Sequence, residues 1–141
     1  MREILFRGKS IIDDKWVYGY YYKAKLCVTD KNLCDYITTP YPTINRKKSD
    51  HIMIIPETIG QYTGLCDKNG VKIFEGDIVK YDNTIHKVVF ETRNKTAYFG
   101  LVYSDIETLP FGHYQDLKQI EIIGNIFENP DLVEGEENEY S

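Results

Sequence analysis

Residues 56–81 read PETIGQYTGLCDKNGVKIFEGDIVKY and have the strongest turn chemistry in the chain. The pair Asn69-Gly70 predicts a β-hairpin, because both residues tolerate the positive φ that a type I′ turn requires. Gly76 interrupts the next strand run, and we expect it to be left-handed or bulged while Asp77 bonds to nearby backbone amides. A tight corner followed by β-rich runs is typical of small SH3-like barrels, and this comparison concerns the fold alone.

Three pieces of this stretch resemble the signature of the YopX-like phage proteins: residues 56–65 (PETIGQYTGL), 67–70 (DKNG) and 75–79 (EGDIV). The family's opening and close resemble residues 1–7 (MREILFR) with 16–19 (WVYG), and 123–130 (IGNIFENP). The resemblance implies a phage or prophage origin and a mainly β fold. It implies no activity, catalytic residue or cofactor, so no functional residue is carried over from it.

Length and composition predict one mainly β domain. A chain of 141 residues buries roughly two-thirds of its unfolded surface, and its twelve Tyr, six Phe and one Trp favour half-buried strands. We expect this domain over residues 1–130, with few short helical turns, and a disordered acidic tail over 131–141. Its predicted parts are an aromatic hairpin (1–22), a variable excursion with a strand (23–55) and a barrel-like core (56–127).

Charge and hydropathy bound the class of protein. The net charge is −5, with ten Lys or Arg against six Asp or Glu in residues 1–50 and seven against sixteen in 51–141. The overall sign argues against a dedicated nucleic-acid binder, although the basic N-terminal part keeps that option open locally. No apolar run reaches the roughly 20 residues of a membrane span, and no signal peptide is visible. We therefore expect a protein of the bacterial host cytoplasm with three reduced cysteines.

Alternating apolar residues predict the positions of the strands along the chain. Residues 2–7 and 15–22 are expected to form an antiparallel hairpin. We expect residues 57–65 to be irregular or a short helical turn and residues 104–115 to be a loop. Further strands are predicted at 51–55, 71–74, 77–81, 85–91 and 97–103, with Asp82-Asn83 as the turn between 77–81 and 85–91. The last apolar run is predicted at 117–127, with a bend or bulge at Gly124-Asn125.

The second strand carries the most unusual surface. Its period-2 geometry places four rings on one face, and these are Trp16, Tyr18, Tyr20 and Tyr22. One interpretation is an aromatic strip that contacts bases, sugars or a partner subunit. The other is that the rings cover the core and send their hydroxyls to its rim.

A basic cluster follows on a predicted loop, at Arg46, Lys47 and Lys48. It suits contacts with phosphate, but three exposed basic residues are more often a solvated loop. Together with Lys15, Lys23, Lys25 and the aromatic strand, it defines a candidate surface for single-stranded nucleic acid.

Catalytic and metal-binding patterns are weak. Cys27 and Cys34 are seven residues apart without a neighbouring histidine, which is not the spacing of a zinc knuckle. Glu75 and Asp77 suggest a paired-carboxylate site, but the glycine corner between them explains both residues. A metal site assembled from distant cysteines and His51, His86 or His113 stays an open alternative, although no spacing in the sequence supports it. We predict no catalytic residue, no metal and no cofactor.

The function expected from these observations is that of a non-enzymatic phage or prophage protein. We expect it to act through protein–protein contacts, with a phage or host protein or by self-association into a homo-oligomer. Exposed strand edges and ring-rich faces are the surfaces that small β proteins must pair or cover. The alternative is single-strand nucleic-acid binding through the aromatic strand and its basic neighbours.

Overall fold

The structure is a computed structural model, and it describes residues 3–25, 33–39, 51–93, 96–104, 107–111 and 115–133. It is mainly β, built from two antiparallel sheets with a few 3-10 turns, so the predicted fold class is confirmed. The chain divides into two compact units, Met1–Tyr62 and Thr63–Ser141. The expectation of one folding domain over residues 1–130 stays a prediction.

The first unit is an antiparallel sheet with the order β4-β3-β2-β1-β5. Its strands are β1 (Phe6–Lys9), β2 (Trp16–Ala24), β3 (Cys34–Thr38), β4 (His51–Met53) and the start of β5 (Gly60–Cys66). The predicted hairpin is confirmed, since β1 and β2 pair antiparallel from Phe6 opposite Gly19 to Lys9 opposite Trp16. Strand β1 lies later than the predicted 2–7.

Gly8 lies in β1, although the predicted strand ended at residue 7, and it is closely packed against the core. A Cβ added to Gly8 would lie 2.3 Å from Cγ2 of Ile54, whose side chain is 1% exposed. Ile37 lies on the same side of the sheet, and it is completely buried. The glycine therefore lets the core of the first unit approach the backbone of β1.

Residues 57–65 were predicted to be irregular or a short helical turn, and the helical turn is confirmed at its start by the 3-10 turn Pro56–Thr58, which is followed by β5. The strand from residue 60 was not predicted, because β5 is stabilised by distant pairing with β1, where Tyr62 N donates to Leu5 O at 2.7 Å. Thr58 secures the turn: its hydroxyl donates to Ile55 O at 2.7 Å and accepts from Lys9 N at 2.8 Å.

The second unit contains the rest of β5, its partner β6, and a five-stranded sheet with the order β10-β9-β8-β7-β11. These strands are β6 (Lys72–Phe74), β7 (Asp77–Tyr81), β8 (Thr84–Glu91), β9 (Tyr98–Ser104), β10 (Glu107–Pro110) and β11 (Glu121–Asn125). The core of this unit is apolar and nearly sealed from solvent, and it consists of Ile73, Val79, Val88, Leu101, Phe111 and Ile120.

Both predicted turns are present, but the type I′ geometry occurs at Asp82-Asn83 and not at Asn69-Gly70. Asp82 and Asn83 both have positive φ (49° and 64°), so the type I′ turn joins β7 to β8. At Asn69-Gly70 only the glycine is left-handed, with φ 80°, and Gly70 N donates to Asp67 O at 3.0 Å. The type I′ prediction for Asn69-Gly70 was wrong, because the Asp67 carboxylate accepts from Asn69 N and holds that residue in an ordinary conformation.

The predicted corner at Gly76 is confirmed: its φ is 94°, and the carboxylate of Asp77 accepts from Phe74 N at 2.8 Å. A register shift between Ile122 and Gly124 shows a bulge in the last strand, one residue before the predicted position at Gly124-Asn125. Strand β10 falls in a segment predicted to be a loop. It is a short outer strand paired only with β9 and ending at Pro110, a position where proline costs no sheet hydrogen bond.

The five described strands form an open row, with β10 and β11 at its ends, and the SH3-like description stays a prediction. Residues 131–133 form a helical turn in which Val133 N donates to Pro130 O at 3.1 Å, so described structure extends three residues into the predicted tail. Among the described helical segments, none has the length and apolar character needed to cross a membrane.

Candidate functional site

The aromatic face, defined as Trp16, Tyr18, Tyr20 and Tyr22, lies on a central strand of the first unit. Strand β2 pairs with β1 on one side and with β3 on the other, so its side chains project from the faces of the sheet. The four rings do not share one environment. Trp16 and Tyr22 are partly buried, whereas Tyr18 and Tyr20 are 46% and 56% exposed.

Trp16 is packed against cations of β1. The Arg7 guanidinium carbon lies 4.5 Å from the Trp16 ring centroid, and Lys9 Nζ lies 5.5 Å from it. Both cationic residues are buried, and cation–π attraction is strongest where the charge is desolvated. The Trp16 end of the aromatic face is therefore part of the packing of the first unit.

Tyr22 is held at the other end of the aromatic face. Its ring stacks on Tyr36 with centroids 5.4 Å apart, and Tyr36 is 2% exposed. The hydroxyl lies 2.7 Å from Nδ1 of His51, and the hydroxyl of Thr38 lies 3.0 Å from the same nitrogen. Tyr22 thus matches the packing interpretation, with its hydroxyl at the polar rim.

Tyr18 and Tyr20 lie between these two fixed ends. They are two residues apart on a strand, so their Cα atoms are separated by roughly 7 Å and their side chains project from the same face. Gly19 between them is buried. A Cβ added there would lie 2.2 Å from the carbonyl oxygen of Thr38, so the backbones of β2 and β3 are closely packed at this point. The two exposed rings therefore stand on a closely packed backbone.

The opposite face of β2 carries a separate polar cluster. The Tyr21 hydroxyl donates to the Asp35 carboxylate, and Lys23 Nζ lies 3.9 Å from the same carboxylate. Burial, the hydrogen bond to Asp35 and the charge of Asp35 together raise the pKa of Tyr21 to about 12. Lys23 thus faces away from the exposed tyrosines, and the predicted cluster Arg46, Lys47 and Lys48 lies outside the described residues.

His86 is enclosed in the second unit. Its Nδ1 lies 3.0 Å from the carbonyl oxygen of Val102, so this nitrogen is the donor, and its Nε2 lies 2.6 Å from the hydroxyl of Thr84. The ring also packs against Tyr103, with centroids 4.2 Å apart. Both nitrogens are engaged by neighbours, which leaves neither one open to a metal ion or a substrate proton.

The remaining sequence candidates are not brought together. Asp77 is 2% exposed and serves the backbone corner, while Cys34 and Cys66 lie in different units and neither is in a disulfide. Within the part of the chain that the structure describes, no three His, Cys, Asp or Glu side chains group in a way that could hold a metal ion. Cys27 and His113 lie outside that part.

A polar cleft of about 270 Å³ in the second unit was missed by sequence reasoning. Its lining comes from turns and strand ends far apart in sequence, and consists of Lys68, Lys80, Asp82, Asn83, Gln119 and Glu121. Two of these residues neutralise each other, since Lys68 Nζ lies 3.2 Å from Glu121 Oε2. The balanced charges select no ligand class, and no sequence motif marked the cleft.

Comparisons with known proteins agree with this architecture. The family model described as YopX protein matches residues 5–134 of the chain. The crystal structure of protein EF1440 from Enterococcus faecalis is similar, with a TM-score of 0.53 and 24% sequence identity over 94% of this chain and 99% of that chain. At this identity the similarity concerns the fold alone. A comparison with curated proteins found no match.

Proposed function

This chain belongs to the YopX family, and we propose that it is a non-enzymatic protein that acts through protein–protein contacts made by Tyr18 and Tyr20. The first partner in this proposal is a second copy of the chain, and the others are phage or host proteins. A phage or prophage origin, the bacterial cytoplasm and an SH3-like barrel belong to the same proposal.

The exposure of two neighbouring tyrosines carries the proposal. Tyr18 and Tyr20 are 46% and 56% exposed, while the rings at both ends of the aromatic face are held by packing. Tyrosine is enriched at protein interfaces because it contributes a large apolar area and a hydroxyl, with only two rotatable bonds to order. A pair fixed on a central strand loses little conformational entropy on binding.

Self-association through this surface would be a contact between two sheet faces. The strand that carries the tyrosines already has a neighbour on each side, so its backbone is not available for pairing with another chain. A two-fold contact would bring the same patch of both copies together, with Tyr18 of one copy against Tyr20 of the other. The surface is thus suited to a homo-oligomer that forms without edge pairing.

The nucleic-acid alternative has less support from the geometry. Lys23 pairs with Asp35 on the face opposite the exposed tyrosines. The cations on the tyrosine side, Arg7 and Lys9, are 6% and 8% exposed, so they offer little charge to a phosphate. Backbone phosphates contribute most of the affinity for nucleic acid and need accessible cations. The net charge of −5 acts in the same direction.

Enzymatic activity is also outside the proposal. Catalysis needs an acid, base or nucleophile within reach of a substrate, and His86 has both ring nitrogens engaged. The polar groups that sequence reasoning considered at Glu75 and Asp77 belong to a backbone corner, where Asp77 is buried. These observations support a binding role.

Light scattering at increasing protein concentration tests the self-association. We expect a mass above that of the 16.5 kDa monomer for the native chain and a monomer for the double variant Tyr18→Ser, Tyr20→Ser. The matched control is Phe90→Ser, which removes a ring that is 45% exposed in the second unit and should leave the mass unchanged. A native chain that stays monomeric at the highest concentration contradicts self-association.

Two further measurements separate the other partners. A pull-down from phage-infected host cells, repeated with the double tyrosine variant, identifies proteins that depend on Tyr18 and Tyr20. Binding of a single-stranded oligonucleotide at low salt tests the alternative, with Tyr18→Ala and Tyr20→Ala as variants. Salt-sensitive binding that these substitutions abolish would favour the nucleic-acid function over protein contacts.

A further inference from the structure

A second exposed apolar feature lies at the hairpin tip, defined as residues 10–15 between β1 and β2. Ile12 is 88% exposed and Ile11 is 50% exposed. Isolated apolar side chains on a surface are common and need no explanation. Here two adjacent isoleucines project from one loop, and Ile12 is the most exposed of the large apolar residues in the described chain.

The hairpin tip is fixed by hydrogen bonds at its base. Ser10 N donates to Lys15 O at 2.9 Å, and Asp14 N donates to Ser10 O at 3.0 Å. Asp14 has φ 60°, a left-handed conformation that Asp adopts more readily than most residues. The tip therefore has a defined turn instead of a loose connection.

Further bonds fix the residues that carry the apolar side chains. The Ser10 hydroxyl accepts from Ile12 N at 3.2 Å, and Ile11 N donates to the carbonyl oxygen of Met53 in β4 at 3.1 Å. Lys15 N donates to the Asp13 carboxylate at 3.2 Å. The conformation that presents Ile12 thus exists before any partner binds, which reduces the entropy cost of binding.

The charges around the tip are unevenly exposed. Lys9 Nζ and Asp14 Oδ2 form an ion pair of 3.3 Å, in which the lysine side chain is 10% exposed and the aspartate side chain 70%. This ion pair therefore presents its negative end to solvent. Asp13 adds a second exposed carboxylate, against the single exposed ammonium of Lys15. The exposed surface of the tip is apolar at Ile12 and acidic beside it.

We propose that the hairpin tip inserts Ile12 into an apolar pocket on a different protein, and that Lys or Arg side chains form the rim of that pocket next to Asp13 and Asp14. An anionic membrane surface would repel the two carboxylates. A second copy of this chain is disfavoured at this particular contact, because a two-fold contact would bring the acidic tips of both copies together. The contact uses residues other than Tyr18 and Tyr20, so it goes beyond the proposed function.

Photo-crosslinking tests the proposal in the full-length chain. Benzoylphenylalanine replaces Ile12 in the chain expressed in phage-infected bacterial cells, and mass spectrometry maps the crosslinked residue. We expect an adduct with another protein at a site that is apolar and has Lys or Arg at its rim. The same probe in place of Ile4, which is 54% exposed in the same unit, is the matched control and should give no such adduct.

Two variants test the roles of the apolar and the acidic groups. Ile11→Asp, in the chain with the probe at position 12, replaces the second exposed apolar side chain of the tip by a charge. It should lower the crosslinking yield roughly tenfold, because the free energy gained by burying an isoleucine corresponds to about a tenfold change in affinity. Asp13→Asn with Asp14→Asn should lower the yield and remove its dependence on salt. Unchanged thermal unfolding of each variant shows that the first unit has stayed folded.

The proposal is overturned if the yield at position 12 does not exceed that at position 4. It is equally overturned by an adduct with lipid, with a second copy of the chain, or with a site that lacks cationic residues. Failure here leaves the light-scattering result for Tyr18 and Tyr20 untouched, since those side chains remain in every variant.

Discussion

The carboxylate of Asp67 accepts a hydrogen bond of 3.1 Å from the backbone amide of Ile122, which lies 55 residues further along the chain. The same carboxylate accepts from Asn69 N at 2.9 Å and from Val71 N at 3.0 Å. One buried side chain therefore closes the central hairpin and also ties it to the last strand of the second unit. This double use explains an aspartate at the start of the Asp67-Lys68-Asn69-Gly70 turn.

Replacing Asp67 by Ala should destabilise the protein by about 2–3 kcal/mol, because three backbone amides lose a charged acceptor at a buried site. Urea unfolding followed by circular dichroism measures the loss. The control is Asp116→Ala, whose carboxylate makes a local bond to Lys118 N in an exposed turn and should cost under about 1 kcal/mol. Equal losses in the two variants would contradict a long-range role for Asp67.

Gly19→Ala should destabilise the protein more than Gly70→Ala. At Gly19 an added Cβ meets the Thr38 carbonyl oxygen at 2.2 Å, so β2 and β3 must separate, at a cost of about 3 kcal/mol. At Gly70 nothing lies within 4 Å, and the cost is the left-handed backbone alone, about 1 kcal/mol. Thermal unfolding of both variants checks the order. A larger loss of stability for Gly70→Ala would mean that β2 and β3 accommodate the added Cβ at Gly19 at little cost.

The Tyr21–Asp35 pair predicts a fall in stability at high pH. The folded state raises the pKa of Tyr21 from 10.0 to about 12, so its contribution is fully present below pH 10 and is lost as the pH rises through 12. Urea unfolding between pH 9 and 12 should show this loss in the native chain, and Tyr21→Phe should lack it. The difference in tyrosinate absorbance between the native chain and Tyr21→Phe separates this residue from the other eleven tyrosines. Identical pH profiles for the two proteins would contradict the assignment.

Asn125 should be sensitive to the loss of its side-chain acceptor. It is 8% exposed, and its Oδ1 accepts from Phe127 N at 3.0 Å and from Glu128 N at 2.9 Å. Asn125→Ala should cost about 2 kcal/mol, measured by urea unfolding. Asn125→Asp combined with Glu128→Gln keeps both acceptor bonds and avoids a carboxylate beside Glu128 Oε2, to which Asn125 Nδ2 donates at 3.3 Å, so this Asp variant should retain most of the stability. If the Asp variant unfolds as readily as the Ala variant, the two bonds are not the reason for this asparagine.

Much of the strand pattern can be predicted from the sequence, because the alternation of side chains along a strand depends on residues adjacent in the chain. Period-2 alternation located β7, β8 and β9 within a residue or so, and the Asp-Asn pair at 82–83 marked the turn between the first two. The corner at Gly76 was likewise predicted from local chemistry. Strand β5 was missed because it pairs with β1, which is distant in the chain. Strand β10 was missed because it is a short outer strand that ends at a proline. Residue type alone reveals neither strand.

The candidate surface shows the same division. Alternation along residues 16–22 was sufficient to place Trp16, Tyr18, Tyr20 and Tyr22 together, since the side-chain direction on a strand is a local property. Which rings remain exposed depends on β1, β3 and β4. Their cations and rings cover Trp16 and Tyr22, whereas Tyr18 and Tyr20 are 46% and 56% exposed. Burial is decided by distant atoms that pack against a side chain, and only the assembled sheet brings those atoms together.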